Sequence, residues 1–347
     1  MPDSPAIRTP MITASPLSAQ RRAIPSWQRL WRDAVTDPFE LLGLLGLSHL
    51  APVLLPTADT GFTTRVPRGL IARMRYGDPD DPLLLQVLPQ ARELDNVPGF
   101  TEDAVGDLAA RSARGVLHKY VGRALLIATG SCAVNCRYCF RRHFPYAQQT
   151  AAAQHWHEAI EQIRGDSSIE EVIVSGGDPL SLSTPKLAEL TAALATIPHL
   201  QRLRIHTRLP IVLPERVDDE LVSWLRELPW PVAIVVHANH ANEIDEKVAG
   251  SCAILRANGA TLLNQSVLLR GINDSVDALA TLSKRLFAAG ILPYYLHQLD
   301  PVAGAAHFAV DDARARTLID GLRHRLSGFL VPKLVREVPG EPAKTPL

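Results

Sequence analysis

Six short runs of branched apolar residues, each tied to a longer stretch of helical periodicity, constrain this chain more than any other feature. The runs cover 124–129, 171–175, 202–206, 232–237, 261–267 and 293–298, and the helix candidates cover 152–164, 184–197, 218–228, 243–257, 276–289 and 311–326. Strands joined by helices lie parallel, because a right-handed crossover sets each strand beside its predecessor. Six units are too few for a closed eight-stranded barrel. The pattern therefore predicts an α/β fold, an open partial (β/α)6 barrel. Chemistry in such sheets gathers at the carboxyl ends of the strands. His206, His237, Asn239, Gln265 and Gln298 fall at or near those ends.

Around this unit the chain divides into four parts. Residues 1–25, rich in Pro, Ser and Thr, read as a flexible N-terminus. Residues 26–110, helix-like but broken by prolines at 52, 56, 67, 79, 82, 89 and 98, read as an α-rich region. The barrel takes 111–330, and 331–347 form a short C-terminal segment. Basic and acidic residues balance at 36 each, so no whole-chain field attracts nucleic acid or an anionic membrane. The longest apolar stretch, 41–55, is interrupted by His49 and Pro52 and falls short of the ~18 residues of a membrane span. No charged region followed by an apolar run opens the chain, so a cytoplasmic location is expected.

Three of the four cysteines sit in Cys132-Ala-Val-Asn-Cys136-Arg-Tyr-Cys139, directly after the first strand, and Cys252 stands alone in a helix candidate. This is a poor disulfide framework and reads first as metal ligation. Three thiolates so spaced can wrap one face of an iron–sulfur cubane and leave the fourth iron open. An electron-carrier cluster or a structural zinc would take four ligands. Cys252 reads as a small buried hydrophobe. His143 is the residue that would complete a Cys₃His zinc site, and a zinc-stabilised binding protein is the alternative from another class.

The C-x₃-C-x₂-C loop after the first strand of a partial barrel resembles the radical S-adenosylmethionine (SAM) superfamily. The resemblance implies a [4Fe–4S] cluster on Cys132, Cys136 and Cys139, with SAM on the open iron. It places Tyr138 near the adenine, and the turn Ser175-Gly176-Gly177-Asp178 after the second strand against SAM's methionyl amino group. Glycines there let a backbone approach a ligand and expose its amides. The flanks narrow the family. His118-Lys-Tyr120-Val-Gly-Arg123, Arg204-Ile-His-Thr-Arg-Leu-Pro, His237-Ala-Asn-His-Ala-Asn-Glu243, the stretch 264–274, Pro293-Tyr-Tyr and Glu337-Val-Pro-Gly-Glu-Pro-Ala-Lys344 are similar to the lysine 2,3-aminomutase family.

That family implies a second cofactor, pyridoxal 5′-phosphate, bonded through an imine to Lys344. It places Arg123, Lys119 and Tyr120 around the pyridoxal phosphate, with Lys119 standing where an arginine is common. Arg141 becomes the anchor for the substrate carboxylate, a role that suits a two-pronged guanidinium. Asp300 and Glu337 would hold the far ammonium of lysine, and Glu337 is one methylene longer than the family's aspartate. Two acids facing one cation favour lysine over glutamate, because like charges repel. The short tail after Lys344 resembles the branch that makes (R)-β-lysine from (S)-α-lysine for a ligase acting on elongation factor P. Other possibilities at this level are an aminomutase for another amino acid such as glutamate, and a radical SAM enzyme without pyridoxal phosphate. Lysine is the expected small-molecule partner, the ligase and elongation factor P are functional partners, and a homo-oligomer is left open.

Overall fold

The computed structural model describes residues 26–54, 62–149 and 156–347. The stretch 1–25 and the start of the first helix candidate, 152–155, lie outside them. Among the described residues ten strands form one sheet in strict sequence order. The strands β1 (Arg111–Ala113), β2 (Val116–Tyr120) and β3 (Arg123–Thr129) are antiparallel neighbours. From β3 the sheet runs parallel through β4 (Glu171–Gly176), β5 (Arg202–Thr207), β6 (Val232–Val236), β7 (Ala260–Val267), β8 (Leu292–His297) and β9 (Lys333–Arg336). A last short strand, β10 (Thr345–Pro346), turns back antiparallel on β9.

Helices at His157–Gly165, Thr184–Ala195, Asp219–Arg226, Glu246–Ala257, Val276–Ala288 and Asp312–Arg325 supply the six crossovers, as the periodicity predicts. Local chemistry sets where four of them begin. Asp218, Asp245, Ser275 and Asp311 each accept a backbone N–H three residues on, at 2.9, 2.9, 3.2 and 2.8 Å. Such a bond satisfies one of the amides that a helix start leaves without a partner. Among the described residues no helix is long and apolar enough to cross a membrane.

Among the described residues of 26–110 are short helical pieces, Ser26–Arg32, Pro38–Leu44 and Arg68–Ile71, with a 3₁₀ turn at Ser48–Val53 that contains Pro52. They do not hold a core of their own. Trp27, Leu42, Leu70 and Leu84 belong to the same buried cluster as Val172, Ile205, Val236 and Leu255 of the barrel. Cys252 is wholly buried in that cluster, as a small hydrophobe.

Strands β9 and β10 are too short for their periodicity to stand out, yet they place the site. A seventh parallel strand carries Glu337 to the carboxyl rim, and pairing of Thr345 with Arg336 brings Lys344 back beside it. The sheet also curls. The Tyr120 hydroxyl, from β2 near one edge, donates to Glu337 beyond β9 near the other at 2.6 Å. Lys119 reaches the same carboxylate at 3.6 Å. Side chains, rather than a backbone ladder, link the two margins of the partial barrel.

Candidate active site inside the partial barrel

The cysteine loop leaves β3 with all three cysteines intermediate in exposure, and its last turn is closed by the Cys139 N–H donating to the Cys136 carbonyl at 3.0 Å. Burial pushes the Cys139 thiol up to about 11, with the neighbouring Cys136 adding to the rise. Cys132 is raised by burial and then by Asp178 and the other two cysteines. Adjacent thiols so disposed need a cationic metal centre to ionise together. A buried ion-pair triad fixes the loop's shape. Arg137 donates to both oxygens of Glu93 at 2.9 and 2.5 Å, and Arg142 donates to one of them at 2.7 Å. The Cys₃His alternative does not form here. His143 lies exposed with Nε2 against the Ala303 carbonyl at 3.1 Å, and among the described residues no three or more His, Cys, Asp or Glu converge on a single-ion position.

The glycine turn after β4 lies directly against this loop. Gly176 has φ of +120°, open only to glycine at low cost. A Cβ on Gly177 would stand 2.5 Å from the Ser131 carbonyl oxygen. The turn does not expose its amides as expected from sequence. The Gly177 N–H donates to Thr129 at 2.7 Å and the Asp178 N–H to Ser131 at 2.8 Å. Both amides hold the cysteine loop. The Asp178 carboxylate is likewise engaged by protein, accepting from the Thr207 hydroxyl and the Arg208 N–H, each at 2.6 Å. What the turn has left for a cation is the Ser175 hydroxyl and the second lone pair of the Gly176 carbonyl, which already accepts from the Tyr146 hydroxyl at 3.0 Å; oxygen acceptors suit an ammonium group better than amides do. Gly177→Ala is expected to force the two loops apart and to lower iron incorporation severalfold, read by iron and sulfide analysis after anaerobic reconstitution. Full incorporation would show that the close approach is dispensable.

A line of charged contacts runs from the cysteine loop to the C-terminal lysine. Arg141 Nε donates to Asp107 at 2.7 Å, Lys119 meets the other Asp107 oxygen at 2.6 Å, Lys119 stands 3.6 Å from Glu337, and Lys344 donates to Glu337 at 2.8 Å. Burial alone would raise the Asp107 carboxyl, but Arg141 and Lys119 hold it below the usual range. Glu337 follows the same logic, with Lys344 overcoming burial. The Arg123 guanidinium stacks on the Tyr120 ring at 4.5 Å, and the Lys344 ammonium lies 5.9 Å from the Tyr295 ring centre. Burial drives Asp300 up to about 7, against the pull of Lys344. His206, His237 and His297 are kept neutral, chiefly by burial. The Nε2 atoms of all three and Asp300 Oδ1 are buried without hydrogen-bond partners. Orphaned buried polar atoms at one place are the mark of a polar ligand site. The Lys344 amine, the Asp300 and Glu337 carboxylates and the Arg123 guanidinium are groups of the kinds that an imine, an ammonium and a phosphate need, so the residues fit pyridoxal phosphate and a diamino acid.

Sequence reasoning places Arg141, Lys119, Tyr120, Arg123, Asp300, Glu337 and Lys344 in one neighbourhood, and the structure brings them together. Tyr138 lies beside the cluster loop's partners, accepting from Asn239 Nδ2 at 2.7 Å. Gln298, buried, instead donates through Nε2 to the Val310 carbonyl and to the Asp312 side chain, the latter at 3.1 Å. Four residues went unread: Asp107, Glu93, Arg208 and Glu243. Arg208 and Glu243 stand inside two of the family-like motifs quoted above, which was the only available signal. Arg208 donates to Cys136 Sγ at 2.7 Å and to Glu243 at 2.8 Å.

Residues 126–282 match the family model of the radical SAM superfamily. The L-lysine 2,3-aminomutase of Escherichia coli (strain K12) is 50% identical over 322 residues, covering 92% of this chain and 94% of that protein. The L-lysine 2,3-aminomutase of Haemophilus influenzae is 47% identical over 320 residues, covering 92% and 95%. The L-lysine 2,3-aminomutase of Clostridium subterminale is 38% identical over 271 residues, 78% of this chain but 65% of that longer protein.

Proposed function

The chain belongs to the lysine 2,3-aminomutase family of radical SAM enzymes, and from that premise we propose that it converts (S)-α-lysine to (R)-β-lysine with pyridoxal phosphate carried on Lys344. Membership brings with it the [4Fe–4S] cluster and SAM, for which Cys132, Cys136 and Cys139 are the ligand set. When bound, the cluster and SAM supply a hydrogen-abstracting carbon radical, and pyridoxal phosphate supplies a π-system joined to the migrating nitrogen.

The chain's own residues supply placement. Arg141 is fixed through Nε by Asp107, while its Nη1 makes only long contacts, 3.4 Å to Ser175 Oγ and 3.5 Å to the Gly176 carbonyl. That leaves the guanidinium able to take the α-carboxylate. Asp300 and Glu337 receive the far ammonium. Holding both ends of an extended substrate sets which carbon faces the radical, which is where orientation contributes most. Arg123, Tyr120 and Lys119 hold the pyridoxal phosphate against the β2 side, and the Gly176–Ser175 oxygens, with Tyr138 nearby, receive SAM. The single observation that carries this reading is the unbroken line of charge contacts from Arg141, two residues past Cys139, to Lys344.

The acids at 300 and 337 favour lysine over glutamate. The connection to elongation factor P and its ligase rests on the resemblance of the segment around Lys344. Anaerobic incubation with SAM, pyridoxal phosphate and dithionite is expected to give β-lysine from lysine and no β-glutamate from glutamate. Product from glutamate alone would overturn the substrate assignment.

A further inference from the structure

Arg208 is the first residue after β5 and is nearly fully buried, yet its charge serves no helix cap or surface. Its Nη1 lies 2.7 Å from Cys136 Sγ, the middle ligand of the three. Its Nη2 is held by Gln86 Oε1 at 2.6 Å and Glu243 Oε2 at 2.8 Å, and its guanidinium sits 5.8 Å from the Tyr138 ring centre. Glu243 is completely buried and pinned in turn. Its Oε1 accepts from the Asn239 N–H at 2.7 Å and the His240 N–H at 3.0 Å. The result is a rigid array in the order Sγ, guanidinium, carboxylate, with Asp178 fixing the Arg208 backbone from the other side through its N–H at 2.6 Å.

A cation is not needed to hold a neutral thiol, and burying one is costly. Against a cluster thiolate it has a purpose. The cluster gains a full negative charge when it accepts one electron, in a setting with little water to spread it. A hydrogen bond to a ligand sulfur, and a cation at that distance, favour the more negative state. Glu243 stands behind Arg208 and offsets part of that effect.

We propose that Arg208 and Glu243 form a graded counter-charge that sets the reduction potential of the cluster through Cys136: Arg208 raises it and Glu243 moderates it. The step concerned is transfer of one electron to the cluster from an external one-electron reductant, with no bond made or broken. Both residues act through the ligand sulfur, so they are positioning residues rather than catalytic ones. The inference rests on the three-cysteine cluster reading above.

The test is a redox titration of reconstituted protein without SAM, followed by electron paramagnetic resonance of the reduced cluster. Glu243→Gln preserves shape and most hydrogen bonds while removing the moderating charge. It should favour reduction about tenfold, some 59 mV upward for a one-electron couple. The pair Arg208→Gln with Glu243→Gln removes both charges, leaves no uncompensated buried ion, and should return the potential to or below the wild-type value. An opposite pair of shifts is not what general loosening of the loop would produce. Equal potentials in wild type, Glu243→Gln and the double variant would overturn the inference while leaving the cluster in place. Wild-type protein that assembles no cubane would overturn the cluster reading itself, and this inference with it.

Discussion

Lys344→Ala is expected to remove the bound pyridoxal phosphate's visible absorbance while leaving the iron–sulfur chromophore intact, and to cut turnover by roughly 10⁴-fold or more, the scale of losing a covalent catalytic group. The separation of the two effects follows from the contacts. Lys344 touches Glu337 and approaches the Tyr295 ring. The cysteine loop is held by Glu93, the glycine turn and Arg208. Stability should fall by roughly 1–3 kcal/mol, because the Lys344–Glu337 pair is mostly buried, with side chains 24% and 12% exposed. The variant does not leave an orphaned carboxylate, since Tyr120 still donates to Glu337 at 2.6 Å. Ultraviolet–visible spectra of wild type and variant, before and after hydroxylamine, check the result. Pyridoxal phosphate that stays covalently attached in the variant would mean that a different amine carries it.

The contrast between Lys344 and its surroundings shows how far the amino-acid order alone could lead. Six of the seven parallel strands were legible because each is a short segment with apolar residues followed by a stretch of helical periodicity. The cysteine loop was legible because ligand spacing is a local property. Lys344 was legible only through resemblance, since nothing within the segment states that β10 folds back on β9. The unread residues share one physical cause. Asp107 meets Arg141 across 34 residues, Glu93 meets Arg137 across 44, Arg208 meets Cys136 across 72, and Glu243 meets Arg208 across 35. A lone acid in a loop has no periodicity, and its partner is chosen by the curl of the sheet. The glycine turn shows a subtler limit. Whether it offers amides or carbonyls depends on which groups the neighbouring elements have already engaged.

Asp300 leads to the second large effect, on substrate affinity. Burial lifts its carboxyl from 3.8 to about 7, with Glu337 adding to the rise and Lys344 opposing it. In the ligand-free chain below pH 7 the group is therefore mostly protonated and offers no charge to an ammonium. Binding lysine must ionise it, so a proton leaves as the substrate enters. Affinity for lysine is expected to fall toward tenfold per pH unit below about 7 and to level off above it. The stability of the ligand-free fold runs the other way. The unfolded chain gives up this proton near pH 4 and the folded chain near 7, so this group's contribution is full below the lower value and is lost as pH rises through the higher. Asp300→Asn removes the titrating charge. It should raise the KM for lysine by roughly 10²-fold, the scale of taking one partner from a buried charge pair, and should flatten the acid limb of the KM profile. Measuring KM for lysine from acid to mildly alkaline pH in both proteins decides the matter. An acid limb that survives in Asp300→Asn assigns the proton to another group, and the far-ammonium role of Asp300 would fail with it.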